Sequence, residues 1–230
     1  MSVFVLVHGA GDASWIWEKV IPELDARGHT AVAVDLPCDD PNATAEDDVA
    51  VICDAIPPDA EDVVAVAHAT NGLLMPALAK HRPLRHIVYV CAVIPEPGKT
   101  FVDLMGKEPD MFVDGGLTDT YQVDDLGRSV FSEAQLVADF AVDCPIHEAQ
   151  EYARRSRPQR LTTYMEIAPP LPDVPSTVVV GTEDITLNPD WLRRVARERL
   201  NAKIVEMEAG HTPMLRDPAG LADILVSTVA

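Results

Sequence analysis

Six short runs of mostly β-branched residues constrain this chain more than any other feature: Val3 to Val7, Thr30 to Val34, Val63 to Ala67, His86 to Val90, Thr177 to Val180 and Lys203 to Met207. They mostly lack polar alternation, so a strand built from one of them has two apolar faces and needs cover on both. That is the condition of a parallel strand inside a sheet. Between them, Trp15 to Arg27, Ala45 to Ala55, Gly72 to Arg82, Pro189 to Leu200 and Pro218 to Thr228 carry helical spacing, with proline at or near the start of the last two. Alternation of this kind predicts an α/β chain with a mostly parallel, doubly wound sheet of about six strands. The 230 residues, 47% of them hydrophobic, suffice for one compact core.

The alternation stops between Val90 and Pro175. A segment of short helical stretches stands there, carrying Phe101, Met105, Met111, Phe112, Tyr121, Phe131, Phe140, Tyr152, Tyr164 and Met165, and it returns through the proline-rich APPLPDVP at 168–175. The expected organisation is a core of residues 1–94 and 171–230 with a lid of residues 95–170 over the carboxyl ends of the strands. So many aromatics and methionines suggest an apolar cavity under that lid. Trp15, Phe101, Met105, Phe112 and Tyr121 are its candidate substrate contacts.

Charge and cysteine usage exclude several functions. With 37 Asp and Glu against 18 Lys and Arg, the formal charge of −19 repels polyanions, which argues against nucleic acid and anionic membranes as partners. The opening MSVFVLVHGAG has no basic region before its apolar run, and that run ends after five residues, so neither a signal peptide nor a membrane span fits. A soluble, cytoplasmic protein is the expectation, with homodimerisation left open. Cys38, Cys53, Cys91 and Cys144 are far apart and lack CxxC spacing, so four reduced thiols are expected rather than a zinc site or disulfide framework. No His/Asp/Glu cluster at ligand spacing and no dinucleotide fingerprint is present, and the expected cofactor is none.

Four places carry chemistry. In VVAVAHATNGLL, a β run turns sharply through His68 to Gly72 into an apolar helix, with Ala69 at the top of the turn. In HGAGDASW, the glycine-containing turn after the first strand lets a backbone N–H, that of Ala10, point at a developing oxyanion, and the N–H of Thr70 would be the second donor. Asp184, in VVVGTEDITLNP, lies just past a buried strand, where a carboxylate can reach a histidine; Glu183 is expected to face away, and Glu96 is a weaker rival for the same role. His211, in EMEAGHTPMLRDP, follows the last strand by a glycine turn from which an imidazole can return to the elbow. Thr70 is discounted as a nucleophile, since its side chain should leave the turn in another direction. Cys91 reads as a packed core thiol.

These residues resemble the α/β-hydrolase superfamily, and in particular its small branch of hydroxynitrile lyases, plant methylesterases and short bacterial esterase-like proteins. VLVHGAGDASWIWEKVIPELDARGHTAVAVDLP and EAGHTPMLRDPAGLADIL carry the likeness. It implies the α/β-hydrolase fold with a helical lid between the fourth and fifth strands. It also implies the chain order nucleophile, acid, histidine at 69, 184 and 211, and the oxyanion donors Ala10 and Thr70. Two departures matter. The strand-to-helix turn of that family is usually G-x-S-x-G, and here it reads Ala67-His68-Ala69-Thr70-Asn71, with Gly72 one place late. The lysine that follows the histidine in the hydroxynitrile lyases is Thr212 here, which disfavours cyanohydrin chemistry.

Alanine at position 69 leaves three readings open. It could stand for a serine removed by design from an ester or thioester hydrolase acting on a small, largely apolar carbonyl compound. It could belong to a serine-independent lyase, eliminase or cyclase that uses His211 and Asp184 to remove a proton beside a carbonyl. Or the chain could bind a ligand without turning it over.

Overall fold

The structure is a computed structural model, and it describes residues 1–113 and 121–229. Part of the expected lid, residues 114–120, therefore lies outside the described residues. The strands are β1 (Val3–Val7), β2 (Thr30–Ala33), β3 (Val63–His68), β4 (His86–Val90), β5 (Gln122–Val123), β6 (Arg128–Val130), β7 (Gln159–Arg160), β8 (Ser176–Gly181) and β9 (Lys203–Met207). Six of them form one parallel sheet in the order β2-β1-β3-β4-β8-β9.

The central strands show why the apolar runs lack alternation. Val5, Val7, Ala65 and Ala67 face one core while Phe4, Leu6, Val64 and Val66 face the other. The first core is closed by α2 (Ala45–Ala55), α3 (Met75–His81) and α7 (Pro189–Leu200), through Ile52, Leu78 and Trp191. The second is closed by α1 (Val20–Ala26), α8 (Pro213–Arg216) and α9 (Pro218–Val226), through Leu24, Met214 and Leu221. Each side chain of a central strand is thus removed from water whichever way it points.

Two expected helices are split, and proline splits both. The stretch from Trp15 becomes a 3-10 turn, Ser14–Trp17, followed by α1, because the ring of Pro22 would collide with the carbonyl of Glu18 in a continuous helix. By the same geometry Pro76 confines α3 to Met75 onward and leaves Ala69–Leu74 as 3-10 turns.

Between β4 and β8 lie α4 (Phe101–Lys107), α5 (Glu133–Phe140) and α6 (Ile146–Arg155), together with a three-stranded antiparallel sheet, β5-β6-β7. The sequence reading contains no such sheet, since strands of two or three residues have no periodicity to recognise. The return leg of this insertion is tied to the loop after β2. Arg160, 1% exposed, donates to the carbonyls of Pro37 (2.6 Å) and Thr44 (3.2 Å) and pairs with the buried carboxylate of Asp48. Arg157 donates to the carbonyls of Asp12 (2.6 Å) and Leu36 (3.2 Å).

Removing one member of a buried ion pair strands the other charge, at a cost of about 3–5 kcal/mol. Asp48→Ala should therefore lower the melting temperature by roughly 10 °C, given about 2–4 °C per kcal/mol for a chain of this size. A calorimetric scan showing less than a degree of change would mean that water reaches Arg160. Among the described residues, no helix is long and apolar enough to cross a membrane.

Candidate active site

Because the six strands are parallel, their carboxyl ends share one edge of the sheet, and the loops leaving that edge must meet. β3 ends in the elbow. Ala69 sits at φ 52°, a left-handed conformation that costs an alanine about 1 kcal/mol. Its carbonyl accepts from Val93 N (2.9 Å) in the loop after β4.

Gly72 lets the elbow helix approach that loop, for a Cβ on it would lie 2.2 Å from the carbonyl oxygen of Val93. The obstacle is backbone and cannot rotate away. Gly72→Ala should cost about 2 kcal/mol or more as overpacking, read as a fall in the denaturant midpoint; an unchanged midpoint would show that the loop after β4 yields freely.

Three polar side chains clamp the loops of the sheet edge together. The Asn71 amide donates to the carbonyl of His8 (2.6 Å), joining the elbow to the turn after β1. The Nε2–H of His68 donates to the carbonyl of His211 (2.9 Å), joining the elbow to the loop after β9. His8 donates through Nδ1 to the carbonyl of Gly9 (2.7 Å) and accepts at Nε2 from Leu36 N (3.1 Å). That arrangement uses the neutral ring, and burial pushes its pKa down accordingly. The sequence reading assigned none of the three a role. For His8 and His68 the only local signal is a polar residue at the end of an apolar strand, and Asn71 lies in the turn itself.

His211 and Asp184 meet as a buried pair. The Nδ1–H of His211 donates to Asp184 Oδ2 at 2.8 Å, while Asp184 Oδ1 accepts from the N–H groups of Thr186 (2.8 Å) and Leu187 (3.0 Å). Both carboxylate oxygens are thereby oriented, and His211 Nε2 has no protein partner among the described residues. The rival carboxylates lie elsewhere. Glu96 is paired with Lys107 (2.7 Å), which holds it below the usual carboxylate range, and Glu183 is exposed. Cys91 is fully buried beside Asp184, and burial together with that carboxylate pushes its thiol well above the ordinary value, so it makes a poor nucleophile.

A cavity of about 310 Å³ opens above these residues. Ala10, Ala69, Thr70 and His211 line it, as do four of the five candidate contacts, Phe101, Met105, Phe112 and Tyr121. The fifth, Trp15, is not in the lining. It packs edge-on against Tyr152 (centroids 5.8 Å apart) beneath the guanidinium of Arg155 (4.5 Å), and Tyr152 is the ring that reaches the cavity. Trp15 stands one layer back, with its ring packed on the side chains of α6. Of the other insertion side chains, Met165 is 62% exposed and Met111 is buried in the core. Among the described residues, the N–H of Ala10 makes no hydrogen bond.

Comparison with known proteins agrees with this layout. Norfluorocurarine synthase 1 of Strychnos nux-vomica is 35% identical over 105 residues, which cover 40% of this chain and 39% of that protein. Methylesterase 2 of Arabidopsis thaliana is 27% identical over 252 residues, covering 97% of this chain and 94% of its own. Among solved structures, polyneuridine aldehyde esterase superposes with a TM-score of 0.85 at 20% identity, over 100% of this chain and 99% of the other. A pyrethroid hydrolase from Sphingobium faniae JZ-2 superposes at 0.81 with 22% identity, over 100% and 98%. Likeness at these identities shows the fold. The match of residues 4–224 to the Alpha/beta hydrolase family shows that the chain belongs to that family.

Proposed function

We propose that the cavity is the substrate site of an ester or thioester hydrolase for a small, largely apolar carbonyl compound, and that Ala69 stands where its nucleophilic serine would act. The observation that carries this reading is the elbow itself. Ala69 holds a left-handed backbone conformation that nothing in an alanine requires, at the rim of the cavity that His211 also lines. Such strain belongs to a turn shaped to present a side chain. In this reading the Ala10 and Thr70 N–H groups stabilise the oxyanion, His211 is the base and Asp184 orients it. The relatives named as esterases support it. The test is Ala69→Ser, assayed on a panel of p-nitrophenyl esters.

A second reading has its own observation. The His211 and Asp184 pair is complete without a serine, and Nε2 has no protein partner. In the chain with Ala69, that imidazole can take a proton from the carbon beside a bound carbonyl, with the developing enolate at the Ala10 and Thr70 N–H groups. Deuterium exchange into a bound ketone that disappears in His211→Ala is the expected sign. Equal exchange in that variant would remove this chemistry.

A further inference from the structure

One polar group on the cavity wall has no part in the chemistry above. Asp12 is 1% exposed, it lines the cavity, and its Oδ1 has no hydrogen-bond partner among the described residues. Its Oδ2 lies 3.8 Å from His68 Nδ1, which is buried and likewise unpartnered. His68 gives its Nε2–H to the carbonyl of His211, so in the neutral ring Nδ1 is an acceptor. A carboxylate oxygen and an imine-type nitrogen therefore face each other with no donor between them.

The pair sits next to the reaction centre. Asp12 Oδ2, His68 Nδ1 and the Ala69 methyl all lie within 3.1 Å of the point that a Cβ on Gly9 would occupy. Only a glycine at that position leaves room for the three to converge.

The charged neighbours do not neutralise Asp12. Arg157, also in the lining, is engaged with the main-chain oxygen of Asp12 (3.1 and 2.6 Å), with the Leu36 carbonyl and with Asp39. Arg154 is paired with Glu151 (2.8 Å), and Glu133 adds a second acid to the lining. Tyr152 lies against the Asp12 carboxylate. The Tyr152 hydroxyl can give that carboxylate one O–H, yet Oδ1 still lacks a donor among the described residues. A buried carboxylate short of donors and of a paired cation is costly, and a ligand that supplies both the charge and the N–H groups removes that cost.

We propose that Asp12 and His68 Nδ1 form a subsite for a protonated primary or secondary amine, so that the compound taken by this cavity carries an ammonium group close to its carbonyl. The inference rests on reading the cavity as the carbonyl substrate's site and adds the substrate's chemical class. One N–H would go to the carboxylate and, in a primary or secondary ammonium, another to His68. The aromatic walls suit a cation as well, and the net charge of −19 draws one in.

The probes are phenylalanine methyl ester and methyl 3-phenylpropanoate, which differ by the amine alone. Their binding to the unaltered chain is measured by calorimetry at pH 6. The ammonium ester should bind at least tenfold more tightly, as a charge-assisted hydrogen bond in a buried site requires. Asp12→Asn should abolish that preference and leave the neutral ester's dissociation constant within twofold. The comparison in the unaltered chain needs no variant, so a misfolded Asp12→Asn would not shield the proposal. Equal binding of the two esters overturns the amine subsite and leaves the carbonyl site standing. A preference that survives Asp12→Asn places the cation elsewhere and also overturns it. Binding of neither ester overturns the subsite too, while the hydrolase reading is judged separately by the activity of Ala69→Ser.

Discussion

Ala69→Ser should raise hydrolysis of short p-nitrophenyl esters by roughly 10⁴-fold or more over the chain with alanine, since a missing triad serine costs powers of ten in turnover. The size of the gain follows from how little has to be rebuilt. The elbow already holds φ 52° at position 69, so the added hydroxyl enters without a backbone change. His211 is already oriented, with Nδ1 on Asp184 at 2.8 Å, and Nε2 is left to receive the hydroxyl proton. The Ala10 N–H, unbonded among the described residues, is available to an oxyanion. In the proposed hydrolase reading only the nucleophile is missing from the site, which is the condition for one atom to restore a rate of that order. Background hydrolysis by Ala69→Ser across the ester panel would sink the hydrolase reading.

Asp184→Asn, introduced beside Ala69→Ser, should remove about 10⁴ of that regained turnover with little change in KM. Asp184 accepts three hydrogen bonds at once, Thr186 N and Leu187 N on Oδ1 and His211 Nδ1–H on Oδ2. An asparagine side chain has one acceptor oxygen and one donor nitrogen. If its oxygen stays on the two backbone N–H groups, its NH₂ faces His211 Nδ1. The imidazole must then turn over its tautomer and present Nε2–H to the serine, where a lone pair is needed. Because Asp184 does not line the cavity, the effect should fall on kcat. Activity within tenfold of the parent would mean that another group orients His211.

The wrinkles in the secondary structure show where local reading ends. Strand positions were legible because burial on both faces forces a continuous apolar run, as in β3, where all six residues from Val63 to His68 are buried. Helix starts were legible where a proline has only one tolerated place, as at Pro189 and Pro218. The same rule applied to Pro22 and Pro76 accounts for the two split helices, which a reading by apolar spacing alone runs together. β5, β6 and β7 hold no pattern of their own and exist through pairing with one another.

What the sequence determined by itself was the set of parallel strands and, with them, the edge at which Ala69, Asp184 and His211 had to emerge. That information is local, since periodicity and turn residues act within a few positions of one another. Which polar groups meet at that edge was decided only in three dimensions. Asp12 faces His68 across 56 positions of chain, Asn71 reaches back to the His8 carbonyl, and Arg160 finds Asp48 beneath the loop after β2. Trp15 lost its place on the cavity wall to Tyr152 for the same reason. A buried polar side chain is placed by the partners that satisfy it, and those partners come from loops whose meeting depends on the strand order and on the packing of helices over the sheet.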